Sequence, residues 1–206
     1  MNTTEILMRA AVSESGAIGA MLGRAFAETP VARACLDRCS TAERLAKVTR
    51  LYVGLTRAAF RGGDVEVVKD GGAIVGAQLS FAPGRRPLVE LRGWLAMAWG
   101  AIGTGWRGVD RYALYDQHVS PCHPRDPHLY LWVLGIDPGS QGRGHGGAFL
   151  RSLGERADRE RWPVYLETDR ETSVRLYERH GFVVEKELVI AKLGDLRTWT
   201  MRRSPR

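Results

Sequence analysis

Gln141-Gly142-Arg143-Gly144-His145-Gly146-Gly147 puts four glycines into seven residues. An apolar run from Leu129 to Leu134 precedes it, and Phe149, Leu150, Leu153 and Ala157 follow at helical spacing. The run reads as a buried strand: it is short, partly aromatic and β-branched, and stopped by Gly135 and Asp137-Pro138. A glycine loop therefore joins a strand to the start of a helix. The first N–H groups of a helix lack partners inside it, and the helix dipole adds partial positive charge there. Glycines remove the Cβ atoms that would hold a ligand away. Together these features make a cradle for phosphate, against which a glycine turn without a ligand is the bland alternative.

Two familiar phosphate motifs are tested by spacing. A P-loop needs GxxxxGK[ST], but Gly147 is followed by Ala148 and Phe149, so the lysine and the hydroxyl are missing. Gly142 to Gly147 does spell GxGxxG, and Glu167 falls where a ribose-binding acid would lie in a nicotinamide-dinucleotide fold. Against this, Asp137 to Gln141 intervene between Ile136 and the first glycine. Too little chain follows Glu167 for the further βα units that such a fold requires.

The surrounding elements read as follows. Leu7 to Val12 is a short first strand. Ser13 or Ser15 caps a helix carrying Ile18, Met21, Leu22, Ala25 and Phe26, which Pro30 closes. Ser40-Thr41-Ala42-Glu43 is a capping box before a helix with Leu45, Val48, Leu51, Tyr52, Leu55 and Ala59 on one face. Val65 to Val68 and Ala73 to Phe81 pair across Asp70-Gly71-Gly72 as a hairpin. Residues 88 to 119 suggest one or two helices, and Pro121, Pro124 and Pro127 mark a loop. Val164 to Thr168 is a strand, Thr168 is a candidate cap, and Val174, Leu176 and Tyr177 share a short helix ended by His180-Gly181-Phe182. Val183 to Ala191 and Thr198 to Met201 form a final hairpin. The alternation of helices and strands is α/β or α+β.

The length of 206 residues suits one domain, and 44% hydrophobic with 26% charged residues is ordinary for a globular chain. The net charge of +7 draws anionic ligands such as a polyphosphate. The basic residues are interleaved with acids, as in Arg156 to Arg161, so no nucleic-acid partner is expected. Cys35, Cys39 and Cys122 fit no zinc spacing and are expected as reduced thiols in a cytoplasmic protein. No signal peptide and no membrane partner are expected, because no apolar run reaches the roughly 18 residues of a span.

The C-terminal half carries a family likeness. Leu134-Gly135-Ile136-Asp137-Pro138 followed by Gln141-x-x-Gly144-x-Gly146 resembles the coenzyme A loop of the GNAT superfamily of N-acyltransferases. Leu166-Glu167-Thr168 and Leu176-Tyr177-Glu178-Arg179-His180-Gly181-Phe182 resemble that superfamily's second half. Their order over residues 128–190 makes the combination specific. Within the superfamily the chain is most similar to the puromycin N-acetyltransferase type. Arg24-Ala25-Phe26-Ala27 with Pro30, His123-Pro124, Tyr177-Glu178-Arg179 and Arg197-Thr198-Trp199 carry that likeness, and residues 85–120 carry little of it.

The resemblance implies one N-acetyltransferase domain over residues 1–206, with a mixed, mostly antiparallel sheet of about seven strands flanked by helices. Its donor half would span 128–190, and its acceptor side 13–62 and 88–125. Acetyl-CoA would be the co-substrate and no metal is implied. The backbone of Gln141, Gly142, Arg143, Gly144, His145, Gly146 and Gly147 would hold the pyrophosphate. Leu134, Gly135 and Ile136 would pair with the pantetheine arm, Gly135 marking where strands part for a ligand, and the Ile136 N–H would polarise the thioester carbonyl. Ser173 and Tyr177 would complete the cofactor contacts, although Ser173 stands where many members carry asparagine.

Tyr177 matches the usual acid. A phenol near pKa 10 and a thiol near 8.5 differ by about 1.5 units, so the proton transfer costs little; a core aromatic is the alternative. Glu167, on the face of Tyr165 and opposite Leu166, would take the amine's proton through water or bind the ammonium, with a structural or capping role as its alternative. His123 is a rival base, with Asp116 and His118 behind it. Trp94, Trp99, Trp106, Tyr112 and Tyr115 would line an acceptor pocket or belong to the core. The acceptor is expected to be a small-molecule amine, an antibiotic or aromatic amine being within range, and a homodimer is compatible with the resemblance. A coenzyme A-binding regulator without turnover is the competing class.

Overall fold

The hairpin of residues 64–81 turns on Gly71 and Gly72, whose φ angles of 55° and 82° match a two-residue turn that only glycine adopts without strain. It joins β2 (Asp64–Asp70) to β3 (Ala73–Phe81). The computed structural model describes residues 7–85 and 102–206. There β1 (Met8–Arg9), β4 (Leu129–Ile136), β5 (Val164–Thr168), β6 (Val183–Ile190) and β7 (Leu196–Arg203) complete a seven-stranded sheet in the order β1-β2-β3-β4-β5-β7-β6. Every pairing is antiparallel except β4 with β5. The expected mixed, mostly antiparallel sheet is thus observed.

Helices cover both faces. On one, α1 (Ser15–Phe26) and α3 (Thr41–Ala59) bury Ile18, Met21, Leu22 and Ala59 against Val65, Val67, Ala77 and Leu79. On the other, α5 (His145–Glu160) and α6 (Glu171–Glu178) bury Leu150, Leu153, Ala157 and Val174 against Leu129, Leu166 and Met201. In sequence α2 (Pro30–Cys35) lies between α1 and α3, and α4 (Trp106–Val119) lies before β4. The capping box forms as expected: Ser40 Oγ accepts from the Glu43 N–H at 3.3 Å, and Glu43 accepts from the Ser40 N–H at 2.8 Å.

Local expectations are corrected in five places. Neither Ser13 nor Ser15 caps α1, whose N-cap is Glu14 with no side-chain bond. Pro30 opens α2 rather than closing α1; Thr29 caps it by accepting from the Ala32 N–H, and proline suits a first turn whose N–H has no helical partner. The first strand is only two residues long. Thr168 does not cap α6, whose N-cap is Arg170 with no side-chain bond. The last strand extends beyond Thr198 to Met201 at both ends, because β5 and β6 flank it on either side. The helical expectation near Trp94 and Trp99 lies outside the described residues.

The middle strand has two irregularities. In β4 and β3, Val133 faces Leu79 while Leu131 faces Ser80, so Trp132 is an extra, bulged residue. The bulge lets Leu131 and Val133, two positions apart, bury into opposite faces of the sheet. Among the described residues β4 pairs with β5 only at Leu129–Val164 and Tyr130–Tyr165. Beyond that point the two parallel strands part.

Close approach of α1 and α3 sets the floor of this opening. A Cβ at Gly19 would lie 2.7 Å from the Val53 backbone, and one at Gly23 would lie 2.8 Å from Thr49 Cα. Alanine would gain up to about 1 kcal/mol of helix propensity at either site. The overpacking it forces costs about 1–3 kcal/mol, so overpacking wins. Gly19→Ala and Gly23→Ala should each lower the urea midpoint, while Gly16→Ala, with open space around its Cβ, should not. A gain in stability at Gly19 would contradict the close packing.

Candidate active site

Where β4 and β5 part, a cleft of about 530 Å³ opens. Leu131 to Ile136, Ser140 to Gly142, Gly144 to Gly147 and Glu167 to Arg170 line it, with Ser173 and Tyr177 from α6. The α5 end of this wall has no capping side chain. Its N-cap is Gly144 at φ 96°, preceded by Gly142 at φ 78°, both in the left-handed region where a Cβ is strained. The first bond at this end of the helix runs from the Ala148 N–H to the Gly144 carbonyl at 3.0 Å. The amides of Gly146 and Gly147 in the turn before it suit an external anion.

The open edge of β4 is decided by alternation. The Asp137 N–H bonds the Val75 carbonyl of β3 at 2.8 Å. Successive residues of a strand point their polar groups to opposite edges, so Leu134 and Ile136 present theirs to the cleft. Gln141 Nε2 donates to the Ile136 carbonyl at 3.1 Å on that edge, which leaves the Ile136 N–H beside it for a ligand. Gly135 has a different cause from the one expected. A Cβ there would come within 2.6 Å of Leu22 and 2.7 Å of Phe26, so glycine admits α1 against the sheet.

Tyr177 is 8% exposed and stands on the cleft wall. Burial, and then the charge of Asp169, push its phenol well above the usual tyrosine range, so it stays protonated at neutral pH. Glu167 also lines the cleft, and Leu166 beside it is 1% exposed in the core below α5. The Tyr130 hydroxyl donates to Glu167 Oε2 at 2.8 Å. His123 Nδ1 lies 3.6 Å from Glu167 Oε1, with both side chains 12% exposed. The two candidate bases are therefore neighbours. His123 Nε2 in turn lies 3.0 Å from His128 Nε2, and His128 Nδ1 lies 2.7 Å from the Asp126 carbonyl.

Other candidates fall elsewhere. Arg143 is not part of the cleft wall and faces Asp70 at 3.5 Å. Asp116 and His118 are exposed and bond within their own helix and its end, to Ser120 and the Leu114 carbonyl. Trp106 is exposed, Tyr112 and Tyr115 pack on Cys35, Ile190 and Leu193, and the Tyr115 hydroxyl lies 3.3 Å from Thr198 Oγ1. The aromatic wall is built instead by Phe26 and Tyr52, stacked at 4.7 Å, together with Trp132. Sequence reasoning missed Tyr52, Tyr130 and His128 as site residues. The alternation of Tyr130 with Leu129 and Leu131 was the available signal for Tyr130. Among the described residues no cluster suited to a metal ion is found, and no helix is long and apolar enough to cross a membrane.

Comparison with known proteins agrees with this geometry. The profile of the acetyltransferase (GNAT) family matches residues 65–182. A histone acetyltransferase HPA2 and related acetyltransferase from Corynebacterium glutamicum is similar in structure. Its TM-score is 0.67 at 23% identity, covering 98% of this chain and 97% of that one. The arylalkylamine N-acetyltransferase 2 of Aedes aegypti is similar with a TM-score of 0.61 at 12% identity, over 98% and 99% of the two chains. The ribosomal-protein-S18-alanine N-acetyltransferase of Escherichia coli has a TM-score of 0.56 at 14% identity, over 97% and 93%.

The buried histidine makes a pH-dependent contribution to stability. Burial first, and then the neighbouring His123, push the His128 pKa down, while the Asp126 carbonyl pulls it up by less. The unfolded chain therefore takes up a proton near pH 6.5 before the folded chain does. The contribution is complete above about pH 6.5 and is lost as the pH falls from there towards the depressed folded value. His128→Gln should flatten the fall in urea midpoint between about pH 7.5 and pH 5.5. An unchanged slope would show that His128 is not held neutral.

Proposed function

Because the chain belongs to the acetyltransferase (GNAT) family, we propose that it transfers an acetyl group from acetyl-CoA to the amine of a small molecule by direct attack in a ternary complex. One observation carries this reading: a helix start, a bare strand edge, a protonated phenol and a carboxylate meet in a single cleft. Residues 1–206 act in it as one domain, with the donor half at 128–190 and the acceptor side from 13–62 and 88–125.

The residues present fit the donor. Gly142 and Gly144 hold a left-handed backbone that brings the loop under the α5 start, and the amides of Gly146 and Gly147 would bind the pyrophosphate. The β4 edge at Leu134 and Ile136 would pair with the pantetheine arm, Gln141 holding the neighbouring carbonyl away. Ser173 lines the same wall. When bound, acetyl-CoA supplies an acyl group activated as a thioester. The Ile136 N–H would stabilise charge growing on the thioester oxygen.

Glu167 would draw the proton from the acceptor ammonium, and Tyr177 would deliver one to the departing sulfur. Burial makes the Tyr177 phenolate costly, but a thiolate leaving into the same apolar wall is costly too, so the pair is less mismatched than the phenol alone suggests. Phe26, Tyr52 and Trp132 favour an acceptor with an aromatic or apolar body, and Glu167 favours a cationic amine. Arylalkylamines and puromycin fit that description. The latter accords with the sequence likeness through Arg24-Ala25-Phe26-Ala27, His123-Pro124 and Tyr177-Glu178-Arg179. Three free cysteines accord with a reducing cytoplasm, where acetyl-CoA is available.

The test is thiol release from acetyl-CoA against an amine panel that includes puromycin, arylalkylamines and an alanine-terminated peptide. Turnover is expected with an aromatic small-molecule amine. Tyr177→Phe should lower kcat about 10²-fold or more, with KM for acetyl-CoA little changed. The loss in Glu167→Gln should shrink as the pH rises and the amine deprotonates unaided. Preference for the peptide would overturn the acceptor assignment, and full activity in Tyr177→Phe would remove its role as the acid.

A further inference from the structure

The loop before β4 holds a second polar constellation. His128 is 7% exposed, and its Nδ1 lies 2.7 Å from the Asp126 carbonyl. A carbonyl only accepts, so that nitrogen carries the hydrogen. In neutral imidazole the other nitrogen, Nε2, is then a bare acceptor. It faces His123 Nε2 at 3.0 Å, and two nitrogens at that distance need one hydrogen between them. The hydrogen therefore belongs to His123 Nε2. In the neutral ring His123 Nδ1 is then bare, 3.6 Å from Glu167 Oε1.

From this geometry we infer that His128 is a positioning residue: it fixes the tautomer of His123 so that His123 Nδ1 receives the proton that Glu167 collects from the acceptor amine. The inference rests on the acetyl-transfer reading for its chemistry but not for its tautomers. The step balances simply. The amine N–H bond breaks as a Glu167 O–H bond forms. That proton then passes to His123 Nδ1, giving an imidazolium that donates from Nδ1 to Glu167 and from Nε2 to His128. His123 releases the proton to solvent between turnovers, and the starting tautomer returns.

The surroundings hold the rings in place. His123 lies edge-on to Tyr130 and Tyr165, with centroids 4.8 Å and 4.9 Å away. The charged and titratable groups facing the pair are Asp126, Arg202, Glu167, Tyr130 and Tyr165. Arg202 engages Asp126 at 3.2 Å through Nη1, which anchors the carbonyl-bearing turn under His128. Arg202 also works against protonation of His128 and so helps keep it a neutral acceptor.

Two measurements test this on the full chain. Nitrogen-15 spectra of labelled histidine at neutral pH should give a protonated Nδ1 and bare Nε2 for His128, and the reverse for His123. A His128 protonated at Nε2, or a His123 protonated at Nδ1 alone, overturns the assignment, whether or not any amine is turned over. In steady-state assays, His128→Phe should lower kcat roughly ten- to a hundredfold and shift the acid limb of the pH–rate profile, with both KM values little changed. His128→Gln, whose amide oxygen can still accept from His123, should restore most of the rate. Equal losses in Phe and Gln, or an unshifted pH profile, mean a purely structural histidine. If the wild type acetylates no amine, the acetyl-transfer reading fails while the spectra still decide the tautomers.

Discussion

The structure depends on the parting of β4 from β5 after two paired residues. Backbone polar groups are rarely left without partners inside a protein, so an opened seam in mid-sheet needs other groups to supply them. Here Gln141 returns from the glycine loop to the Ile136 carbonyl. The bulge at Trp132 and the tight seat of α1 over Gly135 keep the seam open from the opposite side. The start of α5 then lies beside a strand edge with the same need for a partner. The unpaired groups that this cleft offers come from backbone rather than side chains.

The candidate proton-transfer groups line the other wall of the seam. Tyr177 comes from α6 and is held neutral by its burial. Glu167 comes from β5, two residues past the last β4–β5 pair, and is held by the hydroxyl of Tyr130 from that pair. Strand alternation puts Leu166 into the core and Glu167 onto the cleft, so burying one side chain aims the next. His123 and His128 reach the same carboxylate from the loop preceding β4. Tyr177 and Glu167 thus sit on different elements with different surroundings.

The aromatic wall of the cleft is built by helices pressed onto the sheet. Gly19 and Gly23 bring α1 against α3, and that contact carries Phe26 onto Tyr52 over the cleft. The wall is aromatic because two helices converge on it; Phe26 stands in the Arg24-Ala25-Phe26-Ala27 segment, whereas Tyr52 stands in no such motif.

Much of this was legible in the chain. The glycine loop, the strand before it, the hairpin at Gly71-Gly72 and the Ser40–Glu43 box each depend on contacts within a few residues, so local chemistry determined them. Tyr177, Glu167 and the loop could be named as candidates because each lies in a short motif. What local sequence could not settle was who meets whom. His123 and Glu167 read as alternatives, and only the fold makes them neighbours at 3.6 Å. Gly135 read as room for a ligand, whereas α1, more than a hundred residues earlier in the chain, requires it. Trp106 and Tyr115 read as pocket or core residues; Trp106 is neither, being exposed, and Tyr115 packs against the core. In each case the deciding contact joins residues far apart in sequence. Such contacts form only when helices and strands pack, so they leave no periodic mark in the chain itself.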